Sequence, residues 1–224
     1  MPALKPLIPR LVGIAVLAVA FVGLTIAITA GAVDALDLRV GRAMHDVWRE
    51  SLHGLFQAIA ELGGLELTGV LMVTLLVYMW RARFGSDSLV VIAFAGAVFL
   101  EIMYKYLLYH PGPPHSLSHS DGPSLTTLVA GSGALGSNSF PSGHIVRAVV
   151  AYGLLAFVIR RLTTSPLLRK AAGPVAFLLV LLVAFDRLYL DVHWESDVVG
   201  GLLLGAIALL AATVWLDRPR KAEN

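Results

Sequence analysis

The sequence predicts an all-α, polytopic membrane protein: six transmembrane helices in one domain over residues 1–224, with an amphipathic outer-face helix between the first two. Three observations predict it. Of 224 residues, 57% are hydrophobic and only 14% are charged, against roughly 25% charged in soluble domains. So little charge cannot cover the surface of a water-soluble domain of this size. Six apolar runs approach the roughly 20 residues needed to cross a bilayer. Finally, Lys and Arg gather on alternate connections, the asymmetry that orients membrane proteins.

The first run, Leu11–Val33, is nearly free of charge. Its basic start (Lys5, Arg10) and small residues near Ala30 resemble a secretory signal. At about 22 residues it exceeds the 7–15 of a signal's apolar core, so a retained span is expected. The second, Leu65–Trp80, starts at Glu66, is closed by Arg81 and Arg83, and borrows Gly63 and Gly64 for length. Leu89–Tyr109 is interrupted by Glu101 and Lys105. Pro141–Ile159 carries His144 and Arg147, and Ala171–Leu190 carries Asp186 and Arg187. Val198–Leu216 is uncharged. The bundle core is expected from spans two to six, with the first at the periphery.

Two connections are long. Asp34–Leu62 spaces Leu38, Met44, Val47, Leu52, Leu55 and Ile59 as an amphipathic helix lying at the interface would. His110–Phe140 is rich in Pro, Gly, Ser and His and reads as irregular loop. Structureless loops of this length usually serve function, here as a lid or entry rim.

With the N-terminus inside, the inner segments hold Lys5, Arg10, Arg81, Arg83, Arg160, Arg161, Arg169, Lys170, Arg218, Arg220 and Lys221. That is 11 of the 17 basic residues. The expectation is N-in and C-in. The absence of Cys excludes a disulfide framework and Cys-based chemistry. A net charge of +2 gives no ground for a nucleic-acid partner.

Ionisable groups inside spans are costly and mark function by default. Here Lys105, His144, Arg147, Asp186, Arg187, His193 and Asp197 all fall near one membrane face. Each alone has a bland reading, such as a cation snorkelling to the interface or a packed histidine. Their common depth does not. Pro141-Ser142-Gly143-His144 follows a polar loop and opens a helix, with proline suited to the first turn and Ser139 as a candidate cap. Free N–H groups and the Ser142 hydroxyl suit an anion, and Gly143 lets it approach closely. His144 beside it is placed to pass a proton. His193 and Asp197, four apart, share a helix face, where a carboxylate on one ring nitrogen leaves the other as nucleophile. Arg187 can grip phosphate oxygens bidentately. The His/Asp pair alone offers too few ligands for a metal.

The Pro-Ser-Gly-His tetrapeptide at 141–144 and the Arg-x5-His-x3-Asp pattern at 187–197 resemble the second and third signatures of the type 2 phosphatidic acid phosphatase (PAP2) superfamily. Lys105 and Pro113 fit the first, Lys-x6-Arg-Pro. The resemblance runs from the second span to the sixth and matches the integral membrane branch. It implies a phosphatase for lipid phosphates that needs no metal or other cofactor. His193 is then the nucleophile forming a phosphohistidine, Asp197 orients it, and His144 protonates the leaving alkoxide. Lys105, Ser142, Gly143 and Arg187 hold the phosphoryl oxygens, as a phosphoryl transition state requires.

Two positions depart from the pattern. Gly112 stands where the family has Arg, and Asp186 where it often has Ser. Loss of the Arg costs on the order of 10²–10³ in rate unless another group supplies it. His110 is the auxiliary candidate, with His115 and His119 on the same loop. Asp186 is expected either to steer Arg187 or to neutralise it. The expected partners are membrane lipids and a lipid phosphate or diphosphate: an isoprenoid diphosphate, phosphatidylglycerol phosphate or phosphatidic acid. The expected location is a bacterial plasma membrane with the site facing the exterior or periplasm. The rival reading, supported by Gly112, is a non-catalytic lipid-phosphate binder or transporter retaining the pocket.

Overall fold

The computed structural model describes residues 7–114 and 138–218, and among them eight α-helices and no strand beyond an isolated Pro111–Asn138 bridge. They are α1 (Ile8–Thr29), α2 (Asp34–Val47), α3 (His53–Ala60), α4 (Leu65–Arg81), α5 (Ile92–Leu107), α6 (Gly143–Leu162), α7 (Pro166–Tyr189) and α8 (Glu195–Leu216). Short 3₁₀ turns at Glu50–Leu52, Glu61–Gly63 and Gly85–Val91 lead into α3, α4 and α5.

Among the described residues, five helical segments are long and apolar enough to cross a membrane: Ile8–Thr29, Glu50–Arg81, Gly85–Leu107, Pro166–Tyr189 and Glu195–Leu216. The remaining expected span, α6, is not among them. The reason is its position. It lies at the centre of the bundle against α4, α5, α7 and α8, with Ile145, Val146, Ala148, Val150, Ala151 and Leu154 fully enclosed. A helix wrapped in protein can carry His144 and Arg147 where a lipid-facing one cannot. The outer helices turn apolar side chains outward instead, with Trp80 72% and Leu167 75% exposed.

Close packing of α6 on α8 rests on small residues. A Cβ on Gly201 would lie 2.7 Å from the Ser142 carbonyl oxygen, and one on Gly205 would lie 2.8 Å from Val149 Cβ. This small-xxx-small stripe lets two backbones approach. The first helix is peripheral, as expected. It docks along α8, burying Phe21 edge-on to Tyr104 at 5.0 Å and stacked on Phe140 at 5.6 Å.

Three local expectations are corrected. The Asp34–Leu62 connection is two helices broken at Trp48–Arg49, and the buried residue of α2 is the acid Asp37, while Leu36, Leu38 and Val47 are exposed. Its apolar stripe is divided: Val40 and Met44 are half-buried on the face of Asp37, and Leu38 and Val47 are exposed. The Pro-Ser-Gly-His segment starts its helix at Gly143, with Ser142 at the N-cap in extended conformation. Pro141 precedes the helix, and the Ser139 hydroxyl bonds the His110 carbonyl at 3.2 Å instead of capping. The last helix begins at Glu195, so His193 lies outside it.

Candidate active site

The charged residues of the bundle converge at one end, where α5 and α7 finish and α6 and α8 begin. After Tyr189, the N–H groups of Leu190, Asp191 and Val192 bond back to Asp186, Leu188 and Arg187. Asp191 takes a left-handed φ of 51°, which a short polar side chain tolerates. This turn swings His193 back over the bundle.

His193 and Asp197 meet, but not as neighbours on a helix face. Asp197 is the third residue of α8, and its carboxylate reaches back beyond the helix start. Oδ2 accepts the Trp194 N–H at 2.9 Å and faces His193 Nδ1 at 3.2 Å. An ionised carboxylate only accepts, so the Nδ1 proton lies toward it and Nε2 keeps its lone pair. Burial is the chief influence holding His193 below its ordinary 6.5, with Asp197 pulling the other way and the Lys105 and Arg187 charges adding to the depression. Its imidazole is therefore neutral near pH 7. The Asp197 carbonyl also accepts the Ser142 N–H at 3.0 Å, which locks the start of α6 to the start of α8.

His144 lies within electrostatic range of Arg187, Arg147, His193 and Lys105. Arg147 Nη2 stands 3.4 Å from His144 Nδ1. A guanidinium can only donate, so this contact favours the proton on Nε2. The Ser142 hydroxyl is fully buried without a hydrogen-bond partner among the described residues. Arg187 gives both Nε and Nη2 to Asp186 Oδ2, at 2.8 and 2.5 Å, and retains Nη1. Asp186 thus both steers and compensates Arg187.

Glu101 was legible only as an interruption of a span. It is fully buried and takes Lys105 Nζ on Oε1 at 3.0 Å and Arg147 Nη1 on Oε2 at 3.1 Å. Arg147, 1% exposed, also donates to the Gly63 carbonyl at 3.1 Å. A Cβ on Gly143 would lie 1.9 Å from Glu101 Oε1. The glycine makes room for this internal carboxylate.

His110, the auxiliary candidate, sits beside Asp197. It is buried behind the site, its Nε2 3.4 Å from Asp197 Oδ1 and 3.4 Å from Ser196 Oγ. The Ser196 hydroxyl and N–H both bind Asp37 of α2, at 2.7 and 2.9 Å. Asp37 is 4% exposed, and burial raises its pKa against the pull of Ser196. Sequence reasoning missed Asp37, because an acid in the first turn of a surface helix reads as dipole compensation. Gly112 itself meets only Ser139 and the Val192 carbonyl, at 3.4 Å or more from an added Cβ. Lys105, Ser142, Gly143, His144, Arg187, His193 and Asp197 are thus all found at this end. His115 and His119 lie outside the described residues. No cluster of three or more His, Asp or Glu groups fit for a metal occurs among the described residues.

Comparison with known proteins shows the family. The PAP2 superfamily model matches residues 88–221. Phosphatidylglycerophosphatase B of Bacillus subtilis is 38% identical over 72 residues, 32% of this chain and 36% of that protein. The chain thus spans about a third of that relative. Undecaprenyl-diphosphatase of Sulfolobus acidocaldarius is 28% identical over 174 residues, 76% of this chain and 74% of that protein. The fold is that of a transmembrane PAP2 type phosphatidylglycerolphosphate phosphatase from Bacillus subtilis. The TM-score is 0.77 at 23% identity, covering 94% of this chain and 98% of the other. The chain belongs to the PAP2 superfamily, as an integral membrane member.

Proposed function

We propose that this protein is a lipid phosphatase that hydrolyses a phosphate monoester or diphosphate without a metal, through a phosphohistidine. One observation carries the reading: the His193–Asp197 pair, with Nε2 left as a lone pair, stands in the same charged end as Lys105, Arg187 and His144. Binding alone needs no nucleophile with an orienting acid. In the first step His193 Nε2 attacks phosphorus in line, the P–O bond to the lipid breaks, and the His144 proton passes to the leaving alkoxide. In the second step His144 takes a proton from water, the hydroxide attacks phosphorus, and the P–N bond breaks to release phosphate. Lys105, Arg187 and the Ser142 hydroxyl balance the charge on the equatorial oxygens.

The reading includes six spans, α6 being the enclosed one. The site then faces the exterior or periplasm of a bacterial plasma membrane, because Arg10, Arg81, Arg83, Arg160, Arg161 and Arg169 gather at the opposite end. The α2–α3 segment lies at the outer interface. The substrates to offer are isoprenoid diphosphates, phosphatidylglycerol phosphate and phosphatidic acid. The outward site favours the first, whose diphosphate is accessible there. The test is phosphate release by purified protein in detergent, with chelator present and His193→Ala alongside. Release by wild type alone supports the mechanism, and the rank order names the lipid. Activity abolished by chelator and restored by a divalent metal refutes the metal-free reading. Tight binding without release favours the alternative, a non-catalytic lipid-phosphate binder, which Gly112 supports.

A further inference from the structure

At the end of the bundle away from the site, a cavity of about 1110 Å³ opens between α6 and α7 on one side and α1 and α8 on the other. It slightly exceeds the roughly 300–1,000 Å³ of small-ligand sites. Its walls are apolar, with Phe157, Phe177, Leu181, Leu202 and Leu209 among them. Gly153 and Gly173 contribute no side chain to it. Its far rim carries Arg10, Arg160, Arg161 and Arg169 against a single carboxylate, Asp217.

Two of these arginines are committed. Arg10 and Arg161 share Asp217, at 2.6 and 2.7 Å, and bond the carbonyls of Thr213 and Leu216. The other two have no carboxylate partner among the described residues. Among the described residues, Arg169 bonds the Thr163 carbonyl, at 2.9 Å. Arg160 lies over α7, its Nη1 3.7 Å from the Cβ position of Gly173, with no carboxylate partner among the described residues. The first turn of α7 lies beside them and adds the positive end of a 24-residue helix.

An apolar crevice along the membrane depth, ending in unpaired arginines at one face, matches an amphiphile with an anionic head. Basic pockets between membrane helices bind such headgroups. We propose that this crevice binds one anionic glycerophospholipid, its phosphodiester on Arg160 and Arg169 and its chains along Phe157, Phe177 and Leu181. The site is separate from the catalytic end and does not depend on the phosphatase reading. Arginines that merely snorkel to the interface would show no such selectivity.

The test is native mass spectrometry of the full chain in detergent, titrated with phosphatidylglycerol or phosphatidylcholine. Wild type should retain one phosphatidylglycerol with about thirtyfold preference, because two cations at about 1 kcal/mol each favour a net-anionic head over a zwitterionic one. Arg160→Gln with Arg169→Gln should lower that preference below about twofold. Both side chains are exposed, so the fold should persist, checked by an unchanged melting temperature without lipid. Gly173→Leu has room for its Cβ and should block both lipids by filling the crevice. Equal retention of the two lipids by wild type would overturn the proposal. So would a preference unchanged in the double variant, or one lost only in Arg187→Gln, which would place the lipid at the catalytic end.

Discussion

Glu101→Gln tests whether the buried charge network beneath the site holds the bundle together. Glu101 is 0% exposed and is the only carboxylate that the described contacts give to both Lys105 Nζ and Arg147 Nη1. The amide preserves shape, so packing against Gly143 changes little. It removes the charge, offers one acceptor oxygen in place of two, and turns an NH₂ toward one of two cations. Breaking a buried pair from one side costs about 3–5 kcal/mol, because the partner charge stays buried. For a chain of this size each kcal/mol lowers the melting temperature by roughly 2–4 °C, so a loss of about 10 °C is expected. Arg147→Met alone should cost less, because Glu101 keeps Lys105 Nζ on Oε1 at 3.0 Å. The double variant removes both charges and should be more stable than the sum of the singles requires by about 1 kcal/mol or more. The assay is thermal unfolding in detergent, followed by intrinsic tryptophan fluorescence. A Glu101→Gln protein within about 1 kcal/mol of wild type, with an additive double variant, would refute the reasoning.

Two further outcomes follow from the site. On the proposed mechanism the neutral His193 ring is the nucleophile, so its depressed pKa puts the acid limb of kcat/KM below the ordinary 6.5; a limb at or above 6.5 contradicts the assignment. The same depression contributes stability above pH 6.5 that is lost as pH falls through the folded value. Asp197→Asn should remove the opposing carboxylate, move the limb lower still and cut the rate on the order of 10⁴. Gly112→Arg is sterically allowed at its Cβ and should raise activity on small phosphates by about 10²-fold if a cation is the deficit. No change or a loss would mean that the loop does not aim this position at phosphate.

The helical class and most span positions were legible because lipid exposure imposes apolarity, and composition records it directly. The same signal also marked Pro141–Ile159 as a span, but could not show that its neighbours are protein. Helix starts were read from capping rules, and these failed where tertiary bonds won. Ser142 is held extended by its N–H on the Asp197 carbonyl, which moves the start past Pro141. The i to i+4 spacing of His193 and Asp197 identified the right pair through the wrong geometry. Asp197 reaches the residue before its helix by filling an N-terminal capping role. Glu101 and Asp37 gained meaning only when α5 met α6 and α2 met α8, contacts separated by tens of residues.

Two buried acids, Glu101 and Asp186, bear on how the proposed site meets its substrate. Each cation that the family pattern assigns to phosphate already has its own carboxylate: Lys105 has Glu101, and Arg187 has Asp186. The pocket therefore holds its cations fixed before any anion arrives, which limits reorganisation in the transition state. It also offers a bound phosphate less net positive charge than unpaired cations would. With Gly112 adding none, binding strength must come from elsewhere, and the lipid chain is the available source. Remote binding energy can then support the chemical step, so short-chain analogues should lose kcat as well as affinity. A pocket of this kind is matched to amphiphiles and poorly matched to free phosphate esters in water.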